Sequence, residues 1–192
     1  MSPKTKEVIV STASKLFGRY GFYKTSMDEI AKLARKAKGS LYYHFESKED
    51  LFKEVVSQEL DILKFELNKI IQLPHLNAAE LLIHYLNTRM EILSKSYNYH
   101  ETLKADLNDR FAFLDDLRDE LTLWEQEKLR IIIQKGIQEG AFDSSLNFDI
   151  AIDVFILILK SSEIQFFVQN RYEEYAPHFD ELLGIVIKGL KP

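Results

Sequence analysis

Between Lys38 and Lys48 the chain gathers two ammonium groups, three hydroxyls and an imidazole: Lys38, Ser40, Tyr42, Tyr43, His44 and Lys48. Such groups suit phosphate oxygens and the base edges of a nucleic-acid groove. Leu41 and Phe45 stand four residues apart, so a helix here anchors them on one side and leaves the other side free. Each residue also has a plainer reading. Tyr42 and Tyr43 can serve as core aromatics, Lys36 and Lys38 as a solvated face, and a lone histidine such as His44 is more often structural. The joint pattern carries the reading. Catalysis finds no comparable support. The five histidines (His44, His75, His84, His100 and His178) show no metal-ligand spacing, there is no cysteine, and no glycine-rich phosphate loop occurs. Neither enzyme activity nor a metal or cofactor is expected.

Two further groups stand out. Tyr85, Arg89, Tyr97, Tyr99, His100 and Trp124 combine aromatic bodies with polar tips, the composition of small-molecule pockets. An inward-pointing Arg89 would favour an anionic ligand, because a buried cation needs a partner. The alternative is that these are scattered core and surface residues. Near the C-terminus, Val154, Phe155, Ile158, Leu159, Phe166 and Phe167 on one helix add to the stripe Phe179, Leu182, Leu183, Val186, Ile187 and Leu190 on another. This apolar surface could pair with its copy across a two-fold axis, or form an ordinary intramolecular core.

The elements that must position these residues read as helices throughout. Pro3 opens the first, and Val8, Ile9, Ala13, Leu16, Phe17 and Tyr20 recur along one face until Gly21 ends it. Ser26 with Glu29 forms a capping box for a short segment from Met27 to Ala34. A tight turn at Arg35-Lys36-Ala37 leads to a second short helix from Lys38 to Phe45. Ser47 caps a long helix striped by Leu51, Phe52, Val55, Val56, Leu60, Leu63, Leu67 and Ile70, stopped by Pro74. Further helices are predicted over Ala78 to Ser94 and from Leu114 to near Gly140; between them a polar, aromatic segment, Tyr97-Asn98-Tyr99-His100, leads into a short helix to about Leu107. Two more cover Asn147 to Arg171 and Pro177 to Leu190. Nothing reads as a strand pair.

Composition bounds the rest. Over 192 residues, 46% hydrophobic and 29% charged, the chain matches an ordinary globular protein, and only 7 Gly and 4 Pro fit long helices with short connections. The longest apolar run, Val154 to Leu159, is far short of the roughly 20 residues of a membrane span. The N-terminus has no signal-peptide pattern, so a cytoplasmic location without a membrane partner is expected. Net charge is −5, yet residues 1–50 hold 10 basic against 6 acidic residues (+4) and the remainder 15 against 24 (−9). A small basic head on an acidic body suggests that only the head meets a polyanion.

A short capped helix, a tight turn and a second short helix within about twenty residues is helix-turn-helix geometry. The segments Thr25-Ser26-Met27-Asp28-Glu29-Ile30-Ala31, Lys38-Gly39-Ser40-Leu41-Tyr42-Tyr43-His44-Phe45 and Ser47-Lys48-Glu49-Asp50-Leu51 resemble the N-terminal signature of the tetracycline-repressor (TetR-like) family. The match spans roughly residues 6–52. The resemblance implies an all-α fold of about nine helices, with a three-helix DNA-binding head (1–50) and a larger helical body for ligand binding and dimerisation (51–192). It makes the helix from Lys38 the recognition helix. Thr25, Tyr42, His44 and Lys48 would meet phosphates, and Lys38, Gly39, Ser40 and Tyr43 would lie toward the major groove. Ser26, Arg35 and Lys36 complete the expected DNA-binding set.

The implied function is a ligand-responsive transcriptional regulator that represses as a homodimer on a palindromic operator, its recognition helices about 34–36 Å apart. Its partners would be double-stranded operator DNA and a small-molecule effector. The chain departs from the family where Arg35-Lys36-Ala37 replaces the usual Gly-Val-Ser. A non-glycine residue must then hold a left-handed conformation, at a cost of about 1 kcal/mol. The lost serine removes a cap or phosphate ligand; either the two added cations offset it by meeting phosphate, or the operator is atypical. The competing reading is an all-α interaction protein whose head has lost sequence-specific DNA binding.

Overall fold

The computed structural model describes residues 3–104, 111–145 and 147–192. Among these residues there is no strand. Ten helical segments run in order: α1 (Pro3–Tyr20), α2 (Met27–Leu33), α3 (Lys38–His44), α4 (Lys48–Ile71), α5 (Ala78–Ser94), α6 (Tyr97–Leu103), α7 (Asp115–Gln138), α8 (Phe148–Glu163), α9 (Tyr172–Tyr175) and α10 (Phe179–Gly189). One of them, α9, is a single turn, which leaves nine full helices among the described residues. The segment Tyr97 to His100, expected to lead into a short helix, is itself the first part of α6, which closes at Leu103; the expected end at Leu107 lies outside the described residues.

The chain forms two compact units. The first comprises residues 1–61 and 96–115, and the second comprises residues 62–95 and 116–192. Helix α4 contributes to both.

In the first unit, α1 buries Ile9, Val10, Ala13 and Phe17, while Tyr20, at the end of the same stripe, is exposed. Gly21 ends α1 at φ +84, and its N–H donates to the Phe17 carbonyl at 2.8 Å. Phe17, Phe22 and Phe52 pack edge to face or tilted, with ring centroids 5.0–5.8 Å apart. Phe111 joins them from the second chain segment, 5.4 Å from Phe22 and 5.6 Å from Phe52. Helix α6 is held by Glu59 of α4. Its carboxylate accepts from the Tyr99 N–H at 2.9 Å and from Asn98 Nδ2 at 2.7 Å. Asn98 Nδ2 also donates to the Ser14 carbonyl and hydroxyl on α1. Burial of Glu59 raises its carboxyl above the usual range, against the lowering effect of these donors.

The second unit buries Leu63 and Leu67 of α4, Leu81, Leu82, Tyr85 and Leu93 of α5, Leu129 and Ile132 of α7, and Ile152 and Ile156 of α8. Asn77 caps α5 through a capping box with Glu80. Gly136 is required by packing: a Cβ there would lie 2.0 Å from Cδ2 of Phe142, whose ring crosses the helix end. Helix α8 does not run on to Arg171. It closes at Glu163 into a π turn (Ile164–Val168), and Asn170 then reverses the chain at φ +56. No helix among the described residues is long and apolar enough to cross a membrane.

Candidate nucleic-acid interface

Helix α2 starts at Ser26, whose hydroxyl accepts from the Glu29 N–H at 3.2 Å while the Glu29 carboxylate accepts from the Ser26 N–H at 2.8 Å. The Ser26 N–H, and then the Ser26 hydroxyl, which donates to the same carboxylate at 2.9 Å, hold the Glu29 carboxyl below its usual range. At the other end, the Lys36 N–H donates to the Ala31 carbonyl at 3.0 Å and the Arg35 N–H to the Lys32 carbonyl at 3.2 Å. This is a Schellman closure, which requires a left-handed residue just after the cap. Arg35 takes that place at φ +53, as expected from the loss of the usual glycine. The reversal launches α3 with Ala37 as a cap that offers no side-chain hydrogen bond.

Leu41 and Phe45 anchor α3 in the core, and Ser40 is buried beside them. The outward face carries Lys38, Gly39, Tyr42 and Tyr43, all exposed, with Tyr43 at 70% the most open aromatic residue among those described. Lys38 Nζ reaches Asp28 Oδ1 of α2 at 2.7 Å, and this bond holds the ammonium above its ordinary value. The Lys38 ammonium also lies 5.9 Å from the Tyr42 ring centroid. A shallow depression of ≈ 410 Å³ opens between Tyr23, Ser26, Asp28, Lys38, Tyr42 and Lys48. It joins the start of α2 to the outer face of α3.

Two further candidates in the head, Thr25 and Lys48, are engaged internally. Thr25 is buried, and its hydroxyl donates to the Gly21 carbonyl at 3.0 Å. Lys48 donates to the Phe22 and Thr25 carbonyls at 3.1 and 3.2 Å and sits 4.3 Å above the Phe22 ring. Lys48 therefore ties the start of α4 to the α1–α2 loop. His44 is half-buried, and its Nε2 is enclosed without a hydrogen-bond partner. Arg35 is exposed and Lys36 half-buried.

Sequence and fold comparisons bear on this head. Residues 9–55 match the family model described as bacterial regulatory proteins, tetR family. Residues 9–55 thus have the N-terminal head of the tetR family. The chain is a DNA-binding transcriptional regulator. The chain is similar to the transcriptional repressor KstR2 of Rhodococcus jostii, 28% identical over 149 residues, which cover 74% of this chain and 70% of that one. It is 27% identical to an acrEF/envCD operon repressor of Escherichia coli over 178 residues, 87% and 76% of the two chains. Identity climbs to 44% with the regulator QacR of Staphylococcus aureus, but over only 54 residues, 28% of this chain and 29% of that one. Among solved structures, a regulator from Cytophaga hutchinsonii superposes with a TM-score of 0.78 at 25% identity, covering 97% and 98% of the two chains. FadR of Bacillus subtilis, solved in complex with stearoyl-CoA, gives the same TM-score at 18% identity, covering 95% and 98%.

Outside the head, the candidate ligand residues divide. Tyr97 and His100 fall in the first unit, with ring centroids 5.8 Å apart; Tyr97 is exposed and His100 buried. Tyr85, Arg89 and Trp124 fall in the second. Trp124 is half-buried beneath Lys128. Arg89 points inward, at 1% exposure, yet its charge is met by the protein itself. Glu125 takes Nε and Nη2 at 2.5 and 3.0 Å, and Glu163 takes Nη2 at 2.5 Å. The inference of an anionic ligand from a buried arginine is thereby corrected. The two glutamates escaped the sequence reading. Their signal was register: Glu125 lies four residues from both Leu121 and Leu129, and Glu163 four residues from Leu159, each on a buried stripe. The Tyr85 hydroxyl is buried near Glu125, and burial, with the Glu125 charge, pushes the phenol well above its ordinary value.

Of the candidate dimer residues, Ile158 and Leu182 are exposed, and Phe155, Phe166 and Val186 are half-buried. Leu159, Phe167 and Ile187 are buried within the chain's own core. The open apolar face of α8 is instead Ile150, Val154, Leu157 and Ile158, spaced i, i+4, i+7, i+8.

Proposed function

We propose that the chain is an effector-responsive repressor that binds a palindromic operator as a homodimer. Residues 1–50 serve as the DNA-binding domain and residues 51–192 bind the effector and dimerise. The observation that carries the reading is the outer face of α3. Lys38, Gly39, Tyr42 and Tyr43 stand in solvent beside the capped start of α2, while Leu41 and Phe45 fix the helix from behind. A polar, cationic helix face held by a rigid anchor fits a major groove. The exposed stripe of α8, and separately the exposed Leu182 and Ile185 of α10, support self-association, because exposed aliphatic patches mark interaction surfaces. FadR of Bacillus subtilis, which shares this fold, was solved with stearoyl-CoA, and that supports a small-molecule effector for the body.

The test is selection from a genomic fragment library that includes the chain's own upstream region, followed by titration of the best fragment. A palindromic fragment is expected, bound two protomers at a time. Affinity should fall about 10³–10⁵-fold between 50 and 200 mM salt if roughly 6–10 phosphates are met. Tyr43→Ala should weaken that binding, and Leu157→Glu with Ile158→Lys should give a monomer in sedimentation. Absence of sequence-selective binding with every effector class tried would overturn the proposal.

A further inference from the structure

We propose that Arg35 is a DNA-phosphate ligand outside the recognition helix, and that this role keeps an arginine at a position whose backbone favours glycine. The inference rests on the DNA-binding reading of the head.

Three observations converge. The first is conformational. The Schellman closure of α2 places Arg35 at φ +53, where an L side chain is strained and glycine is not. Nothing within the head recovers that strain, because the Arg35 side chain is exposed and makes no hydrogen bond or ion pair among the described residues. The second is electrostatic. From Ile30 to Phe45 the chain has Lys32, Arg35, Lys36 and Lys38 and not a single Asp or Glu. The third is availability. Lys48 is tied to two backbone carbonyls and Lys38 to Asp28, so each must be released before it can serve DNA. Arg35 has nothing to release.

The chemistry fits one ligand class. A guanidinium presents paired N–H donors that match two oxygens of a phosphate, and it stays charged at any working pH. Arg35 stands at the reversal between the two helices, one residue outside the half-buried Lys36 and three before the first residue of α3. A helix entering the groove at Lys38 brings the preceding turn toward the backbone that borders the groove. The contact is therefore sequence-independent: it adds affinity and fixes register without reading bases.

The test separates strain from charge with three substitutions, read by thermal unfolding and by titration of a fragment selected by the wild-type chain. Arg35→Gly is expected to raise Tm by roughly 2–4 °C, the shift for relief of left-handed strain in a chain of this size. The same variant should reduce the slope of log K against log salt by about 0.9. The wild-type advantage over the variant then shrinks about 3.5-fold between 50 and 200 mM salt. Arg35→Lys should keep the wild-type slope. Arg35→Asn, neutral but tolerant of the left-handed region, should lose it just as Arg35→Gly does. Higher Tm with weaker, less salt-sensitive binding supports the proposal. An Arg35→Gly variant with wild-type affinity and slope overturns it, while leaving the DNA-binding reading intact. A wild-type chain that selects no DNA overturns that reading and this inference with it.

Discussion

Replacing Glu125 by Gln tests whether the buried charges of the second unit hold its helices together. Arg89, Glu125 and Glu163 come from α5, α7 and α8, and each is at most 2% exposed. In the native chain the guanidinium meets Glu125 through two nitrogens and Glu163 through one of the same two. Glu125→Gln keeps the volume, removes one charge and replaces an acceptor oxygen by a donor that faces another donor. Removing a partner from a buried ion pair costs about 3–5 kcal/mol when it leaves a charge uncompensated. Glu163 still balances Arg89 here, so the cost is that of the charge-assisted hydrogen bonds lost, about 1.5–3 kcal/mol each and about 3 kcal/mol in all. About 3 kcal/mol corresponds to a fall in Tm of roughly 6–12 °C for a chain of this size. The comparison is read by calorimetry at one fixed protein concentration, since self-association would otherwise shift Tm by mass action. The triple variant Arg89→Met, Glu125→Leu, Glu163→Leu supplies the second arm. It removes all three charges together, so no uncompensated charge is left, and it should unfold near the wild-type temperature or above it. A Glu125→Gln variant within about 2 °C of wild type would refute the reasoning. So would a triple variant as unstable as the single one.

Three further outcomes are expected. Gly136→Ala drives a methyl into the Phe142 ring, where the two atoms would lie 2.0 Å apart. It should destabilise the chain by about 1–3 kcal/mol in urea unfolding, and Gly136→Ala with Phe142→Leu should recover part of the loss. Glu59 titrates above its ordinary value of 4.5 because it is buried. A carboxyl raised in the folded state adds stability below the unfolded value and loses it as pH rises through the folded one. The stability of wild type relative to Glu59→Gln should therefore decline as pH is raised from 4.5 upward, as measured by urea unfolding across a pH series. Asp28→Asn releases Lys38 and removes a negative charge from the depression beside α3. It should raise affinity for random-sequence DNA several-fold at low salt, as read by fluorescence anisotropy, with the gain fading at high salt.

The head was legible because its signals are local. Ser26 and Glu29, three residues apart, announced the start of α2, and both halves of the capping box are present. Gly21 and Arg35 sit at the left-handed positions that their neighbours demanded. Leu41 and Phe45 are four apart and both buried. What local pattern could not supply was the direction of single polar side chains. Thr25 and Lys48 carry groups that suit phosphate, yet the free protein spends them on the carbonyls of the α1–α2 loop. Nor could pattern show that α6 and Phe111 return to pack with α1 and α4, because that packing joins residues far apart in the chain.

The body was less legible for a physical reason visible in α8. From Ile150 to Leu159 the only polar residue is Asp153, so the helix is apolar nearly all round. A helix of that kind carries no stripe to say which side faces in. Two sets fit helical spacing equally well: Ile152, Ile156, Leu159 and Glu163, or Ile150, Val154, Leu157 and Ile158. Packing selects the first for the core, and the selection turns on Glu163, the least apolar of the eight. Its carboxylate reaches Arg89 only if its side of α8 faces inward. With Glu163 on the buried side of α8, the aliphatic residues presented outward are Ile150, Val154, Leu157 and Ile158. Hydrophobic pattern cannot disclose that orientation, because the residue that marks the inner side is a charged one.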